Sequence, residues 1–202
     1  PEPIFGLAVT GKMKIKYLKT NAAARNGDLL FLTKPLGIGI LTTARKQGKL
    51  LPNHAHIAGD IMKRLNDIGA DFGKIPQVHA MTDVTGFGLL GHLTEMCEAS
   101  HLMADIHFNQ IPIIPESKIY WPQGCVPGGT NRNFRSYGHK IKQLSEEQKI
   151  LLCDPQTSGG LLVAVDHSYR HDFEALLHQH HLPAKLIGIL KKPVSSHLIS
   201  VL

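Results

Sequence analysis

The sequence predicts an α/β (α+β) fold, with a mixed sheet covered by helices. Two observations carry this. Short apolar runs alternate with segments of helical period along most of the chain, which gives strands followed by helices. The last apolar runs stand close together, so some strands near the C-terminus should pair antiparallel. A third observation bounds the size of the core: 43% of 202 residues are hydrophobic, and the mean hydropathy of −0.06 is that of an ordinary globular protein.

Residues 4–10 form an apolar run closed by Gly11 and read as a strand. Residues 12–27 are basic and polar, a connection with one weakly patterned strand. Residues 28–33 are a buried strand, and Lys34-Pro35-Leu36-Gly37-Ile38-Gly39 breaks into a tight loop. A helix is expected over 53–69, with Asn53 as N-cap, Gly69 as stop, and Ile57, Ile61, Leu65 and Ile68 on its core face. Residues 78–82 then form the strand that delivers Asp83. The helix over 89–99 buries Leu89, Leu90, Leu93, Met96 and Cys97.

Another strand covers 103–108, and 110–138 is rich in Pro and Gly and reads as mostly irregular. A helix over 145–151 leads through the loop 153–160 into a strand over 161–165. The helix over 167–181 turns Phe173, Leu176 and Leu177 inward, and strands over 186–190 and 198–201 close the domain. The one internal boundary falls between the first strand and Asp28, dividing the chain into 1–11, a connection 12–27 and a domain 28–202.

Composition excludes several classes. No apolar run reaches membrane-span length, and the N-terminus lacks a basic-then-apolar leader pattern. The first residue is Pro1 rather than Met, as expected of a chain cut from something longer. Cys97, Cys125 and Cys153 are too far apart for a C-x-x-C pair, which points to free thiols in a reducing cytoplasm. The net charge of +6 is spread over small groups such as Lys12, Lys14, Lys16 and Lys19, without the interleaved aromatics of a nucleic-acid module. The 13 histidines include His54-Ala55-His56 and His178-Gln179-His180-His181, neither with zinc-site spacing.

The chemistry concentrates in Thr82-Asp83-Val84-Thr85-Gly86-Phe87-Gly88. A carboxylate at a strand end can hold Mg²⁺, which prefers oxygen and takes one or two protein carboxylates plus substrate phosphates. Gly86 and Gly88 allow close backbone approach, and the following helix N-terminus offers N–H groups to an anion. The competing reading makes Asp83 the helix cap, and on the heptapeptide alone the cap has the greater weight. Val126-Pro127-Gly128-Gly129-Thr130 is either an anion cradle or a helix entry capped by Thr130. Asp154, before Pro155, is either a second oxygen ligand or a turn former. Lys34 is a further candidate by its loop position.

Five segments then line up in one order: 2–11, 32–37, 81–92, 126–130 and 154–162, containing GLAVTG, LTKPLG, MTDVTGFGLLGH, VPGGT and DPQTSGGLL. Together they resemble the C-terminal part of a bacterial selenide, water dikinase (selenophosphate synthetase), a family in the superfamily of aminoimidazole ribonucleotide synthetase. The resemblance runs from the first residue to at least Val165.

It implies the C-terminal α/β domain of that fold, with 1–11 as the last strand of an N-terminal ATP-binding domain. It implies a cytoplasmic, homodimeric phosphotransferase that converts ATP, selenide and water into selenophosphate, AMP and phosphate with Mg²⁺, and partners that include neither nucleic acid nor membrane. By resemblance Asp83 is the metal ligand this part contributes, with Gly86, Gly88 and Thr130 near the nucleotide. The family's nucleophile and Lys lie upstream of this chain, so no catalytic residue is carried over and the chain alone is expected to be inactive. Two rivals remain: a thiamine-phosphate kinase relative, against which the 127–130 and 154–157 motifs argue, and a non-catalytic dimerisation or interaction module.

Overall fold

The structure, a computed structural model, describes Ala8 and residues 10–202. Its strands are β1 (Leu29–Leu32), β2 (Val78–Asp83), β3 (Met103–Ile106), β4 (Leu161–Val165), β5 (Gly188–Lys191) and β6 (Ile199–Val201). They form one six-stranded sheet in the order β2-β4-β1-β5-β3-β6. β4 pairs antiparallel with β1 and β2, and β5 pairs antiparallel with β1 and β3. β6 lies parallel to β3, which makes the sheet mixed, as the sequence predicts.

β1 reads as a continuous apolar run because both its faces are covered. Side chains alternate across a strand, so Leu30 and Leu32 enter one core and Leu29 and Phe31 the other. The first core is roofed by α4 (Gly88–Ser100), whose Leu89, Leu90, Leu93, Met96 and Cys97 are all fully buried as expected. The second is roofed by α3 (Gly69–Phe72) and α8 (Arg170–Gln179). There Phe173 packs on Phe31 and Phe72, with ring centroids 5.0 and 4.9 Å apart. A satellite core joins α1 (Ile38–Lys46), α2 (Ile57–Lys63) and α5 (Ser117–Tyr120) to the inner face of α7 (Glu146–Leu152). The capping box between Ser145 and Gln148 starts α7.

Several expectations are corrected. The strand expected over 4–10 lies outside the described residues apart from Ala8 and Thr10. The described part of 12–27 holds a 3₁₀ turn, Ile15–Tyr17, and no strand. The segment 34–39 is not only a loop, since α1 begins at Ile38. The single helix over 53–69 is instead a 3₁₀ turn at Pro52–His54, then α2, then α3. Asn53 is not the cap, Arg64 is extended, Leu65 is 78% exposed, and Gly69 starts a helix rather than stopping one. Residues 110–138 contain α5 and the ten-residue α6 (Gly128–Tyr137).

Candidate metal centre

β2 carries Asp83 out of the core. Val78, His79 and Ala80 are buried, Met81 and Thr82 are intermediate, and Asp83, opposite Leu161 of β4, is exposed. An open cleft of about 390 Å³ lies beside it, lined by Lys19, Thr20, Asn21, Met81, Thr82 and Leu161. Lys19 is tied back by a 2.9 Å bond from Nζ to the Ile75 carbonyl.

The chain after Asp83 turns inward at once. Val84 is fully buried, and its N–H donates to the Gly160 carbonyl at 2.8 Å. Gly159 faces it so closely that a Cβ there would stand 2.1 Å from the Val84 oxygen. The Thr85 carbonyl accepts from the N–H groups of Gly88 and Gln156, each at 3.0 Å. The Thr85 N–H donates to His92 Nε2 at 3.1 Å. That bond makes Nε2 the acceptor and leaves the ring proton on Nδ1, which stands 3.4 Å from Glu95 Oε2 without hydrogen-bond alignment.

α6 holds the glycine loop from the other side. Asn133 Nδ2 donates to the Gly86 carbonyl at 2.8 Å and to the Cys153 carbonyl at 3.1 Å. The Tyr137 hydroxyl donates to the Phe87 carbonyl at 2.7 Å. Gly88, at φ 70°, is needed for packing, since its Cβ would meet the Cys153 carbonyl carbon at 2.8 Å. Gly86 has open space where a Cβ would go. Phe87 occupies the N-cap position of α4, which receives no side-chain cap. Asp83 is therefore not a cap, and among the described residues its carboxylate makes no ion pair.

The other candidates are spread around this centre. Asp154 is fully buried behind the N-terminus of α1, where Oδ2 accepts from the Gly39 N–H at 3.0 Å and from Gln156 Nε2 at 2.8 Å. Burial pushes its carboxyl up to about 8, against the opposing pull of the Gln156 and backbone bonds. Lys34 is buried, and its Nζ donates to the carbonyls of Arg64 at 2.7 Å and Ser158 at 2.8 Å. Burial, and then nearby Arg64, lower its ammonium from the usual range. Thr130 is the third residue of α6 and does not cap it. Its hydroxyl is fully buried without a partner. The sequence reading passed over Asn133 and Tyr137, whose i, i+4 spacing is the signal that places both on one helical face.

The fold is that of the aminoimidazole ribonucleotide synthetase class. The family model described as "AIR synthase related protein, C-terminal domain" matches residues 25–199, and the chain belongs to that family. Among curated proteins, it is 54% identical over 199 residues to selenide, water dikinase of Photorhabdus laumondii, covering 98% of this chain and 57% of the relative. It is 59% identical over 190 residues to selenide, water dikinase of Colwellia psychrerythraea, covering 94% and 55%. The chain thus spans about half the length of the curated relatives it matches.

Among solved structures, thiamine-monophosphate kinase from Stenotrophomonas maltophilia superimposes with a TM-score of 0.62 at 17% identity, over 91% of this chain and 52% of that one. Hydrogenase maturation protein HypE in complex with ATP gives 0.60 at 17%, over 87% and 46%. At such identities these two carry the fold alone. No helix among the described residues is long and apolar enough to cross a membrane.

Proposed function

We infer that the chain is the C-terminal part of a selenide, water dikinase, an ATP-dependent phosphotransferase making selenophosphate, AMP and phosphate from ATP, selenide and water. The observation that carries this is 54–59% identity to relatives of that name across at least 94% of the chain. Residues 1–11 would then close a preceding ATP-binding domain, 12–27 would connect, and 28–202 would form this domain. A homodimer in the cytoplasm fits the same reading, as do three buried free thiols.

The donor chemistry at Asp83 fits Mg²⁺: an exposed carboxylate oxygen, free of a capping duty, at the rim of an open cleft. Asp83 would hold the ion together with oxygens from outside this chain, and the ion would neutralise charge on the ATP phosphates. The nucleotide role of the glycines and Thr130 divides unevenly. Gly86 offers open backbone, Gly88 is committed to Cys153, and the Thr130 hydroxyl is sealed. His92, Asn133 and Tyr137 position the loop without reaching the cleft.

Phosphorus NMR of ATP, Mg²⁺ and selenide under anaerobic conditions tests this. Two samples suffice, the chain alone and a chimera carrying it in place of the matching segment of the Photorhabdus relative. Selenophosphate from the chimera only, abolished by Asp83→Asn, is the expected result. Turnover by the chain alone would refute the assignment of the nucleophile to an upstream segment. A fully active Asp83→Asn chimera would remove Asp83 from the metal centre.

A further inference from the structure

At the end of β2 remote from Asp83, four residues and roughly 13 Å away by strand rise, Asp28, His79 and Asp166 converge. One ligand atom from each lies within 4.8 Å of the others. Asp28 and His79 are buried, and Asp166 is half-buried at the rim. His79 Nδ1–H donates to Asp28 Oδ1 at 2.8 Å, while Asp28 Oδ2 accepts the Arg25 N–H at 2.7 Å. Asp166 Oδ1 is likewise committed, accepting from the Ser168 N–H at 2.9 Å and hydroxyl at 2.6 Å.

What remains is His79 Nε2 facing Asp166 Oδ2 across 3.9 Å, beyond hydrogen-bond reach. With metal bonds of about 2.1 Å at a tetrahedral angle, two ligands of one ion stand about 3.4 Å apart, so this pair need close by only about 0.5 Å to share one. Asp28 supplies the supporting carboxylate that fixes the imidazole tautomer and leaves the Nε2 lone pair outward.

We propose that His79 Nε2 and Asp166 Oδ2 bind a divalent transition metal of the zinc class, which ties β2 to the turn after β4. His167, 80% exposed and with Nδ1 3.7 Å from Asp166 Oδ1, lies outside this cluster, and water would complete the shell. Imidazole with carboxylate selects zinc-like ions over Mg²⁺, so this site is chemically separate from the one proposed at Asp83.

The test is a Co²⁺ titration followed by visible absorption, with Zn²⁺ competition and Zn²⁺-dependent unfolding temperature, on the purified protein. One saturable ion that raises the unfolding temperature is expected, lost in His79→Gln and in Asp166→Asn. Asp28→Asn should weaken it roughly 10–100-fold. If His79→Gln fails to fold, Asp166→Asn at the rim decides. Undiminished binding in Asp166→Asn overturns the proposal, as does absence of binding in the wild type. Loss on changing His178, His180 and His181 to Ala instead would also overturn it.

Discussion

Asn133 spends both protons of its amide on backbone carbonyls from two separate loops, donating to Gly86 at 2.8 Å and to Cys153 at 3.1 Å. One side chain of α6 thereby joins the loop after β2 to the loop before β4. Removing it by Asn133→Ala leaves two carbonyls short of a donor, a loss of about 1–3 kcal/mol. Urea denaturation should show a lower midpoint with an unchanged slope, and hydrogen exchange should quicken first in residues 84–88.

Two glycines of the site should respond oppositely to a methyl group. At Gly159 a Cβ would lie 2.1 Å from the Val84 oxygen, so Gly159→Ala must displace backbone and should severely destabilise the fold. At Gly86 nothing stands within 4 Å, so Gly86→Ala should leave stability within about 0.5 kcal/mol. Thermal unfolding of the pair checks this. Any nucleotide-binding defect in Gly86→Ala would then report ligand approach rather than folding.

Asp154 gives a pH dependence of definite sign. Its folded carboxyl is raised to about 8, from about 4 in an unfolded chain. Between those values the folded protein keeps a proton that the unfolded chain has released, so stability falls as pH rises through the window. Asp154→Asn mimics the neutral form and should flatten that slope. Denaturation midpoints at pH 5, 6.5 and 8, as chosen assay points, would measure it, and an unchanged slope would assign the dependence to other groups.

In nitrogen NMR His92 should show the tautomer with its proton on Nδ1, because Nε2 accepts the Thr85 N–H. In His92→Ala the Thr85 amide loses that acceptor, and its exchange should accelerate while the sheet amides of β4 stay protected. An Nε2–H tautomer in the wild type would contradict the geometry.

The three thiols should resist alkylation in the native state. All are buried, and burial pushes Cys97 up to about 12 and Cys153 up to about 11. Since the thiolate is the reacting form, iodoacetamide at neutral pH should label them only on unfolding. Fast native labelling of Cys153 would show that the loop before β4 opens.

The strands and α4 were legible because their burial follows a simple period. Leu29, Leu30, Phe31 and Leu32 are apolar without interruption because two helical layers cover β1, and Leu89, Leu93, Met96 and Cys97 recur at helical spacing. What escaped was set by distant contacts. α1 starts among residues that look like breakers because Gly37, at φ 121°, makes the entry, and Asp154 from 115 residues away receives the Gly39 amide. A Cβ on Gly39 would lie 2.5 Å from Asp154 Oδ1, so the glycine exists for that carboxyl. The helix expected over 53–69 breaks at Arg64, whose carbonyl accepts from Lys34, while the Asn66 amide binds the Gly159 carbonyl. The neighbours of Asp83 in sequence single it out as a candidate, but its freedom from the cap is legible only with Phe87 in that place.

The interlock of Val84 with Gly159 has a consequence for affinity. Fixing a backbone residue costs about 1–2 kcal/mol, and a mobile loop would charge that to each ligand it closes upon. Here the residues that follow Asp83 give up their freedom during folding, gripped by Gly160, His92, Asn133 and Tyr137. An ion arriving at Asp83 would meet a carboxylate on backbone that is already ordered. Its binding strength would then depend chiefly on its own dehydration and on the oxygens it brings.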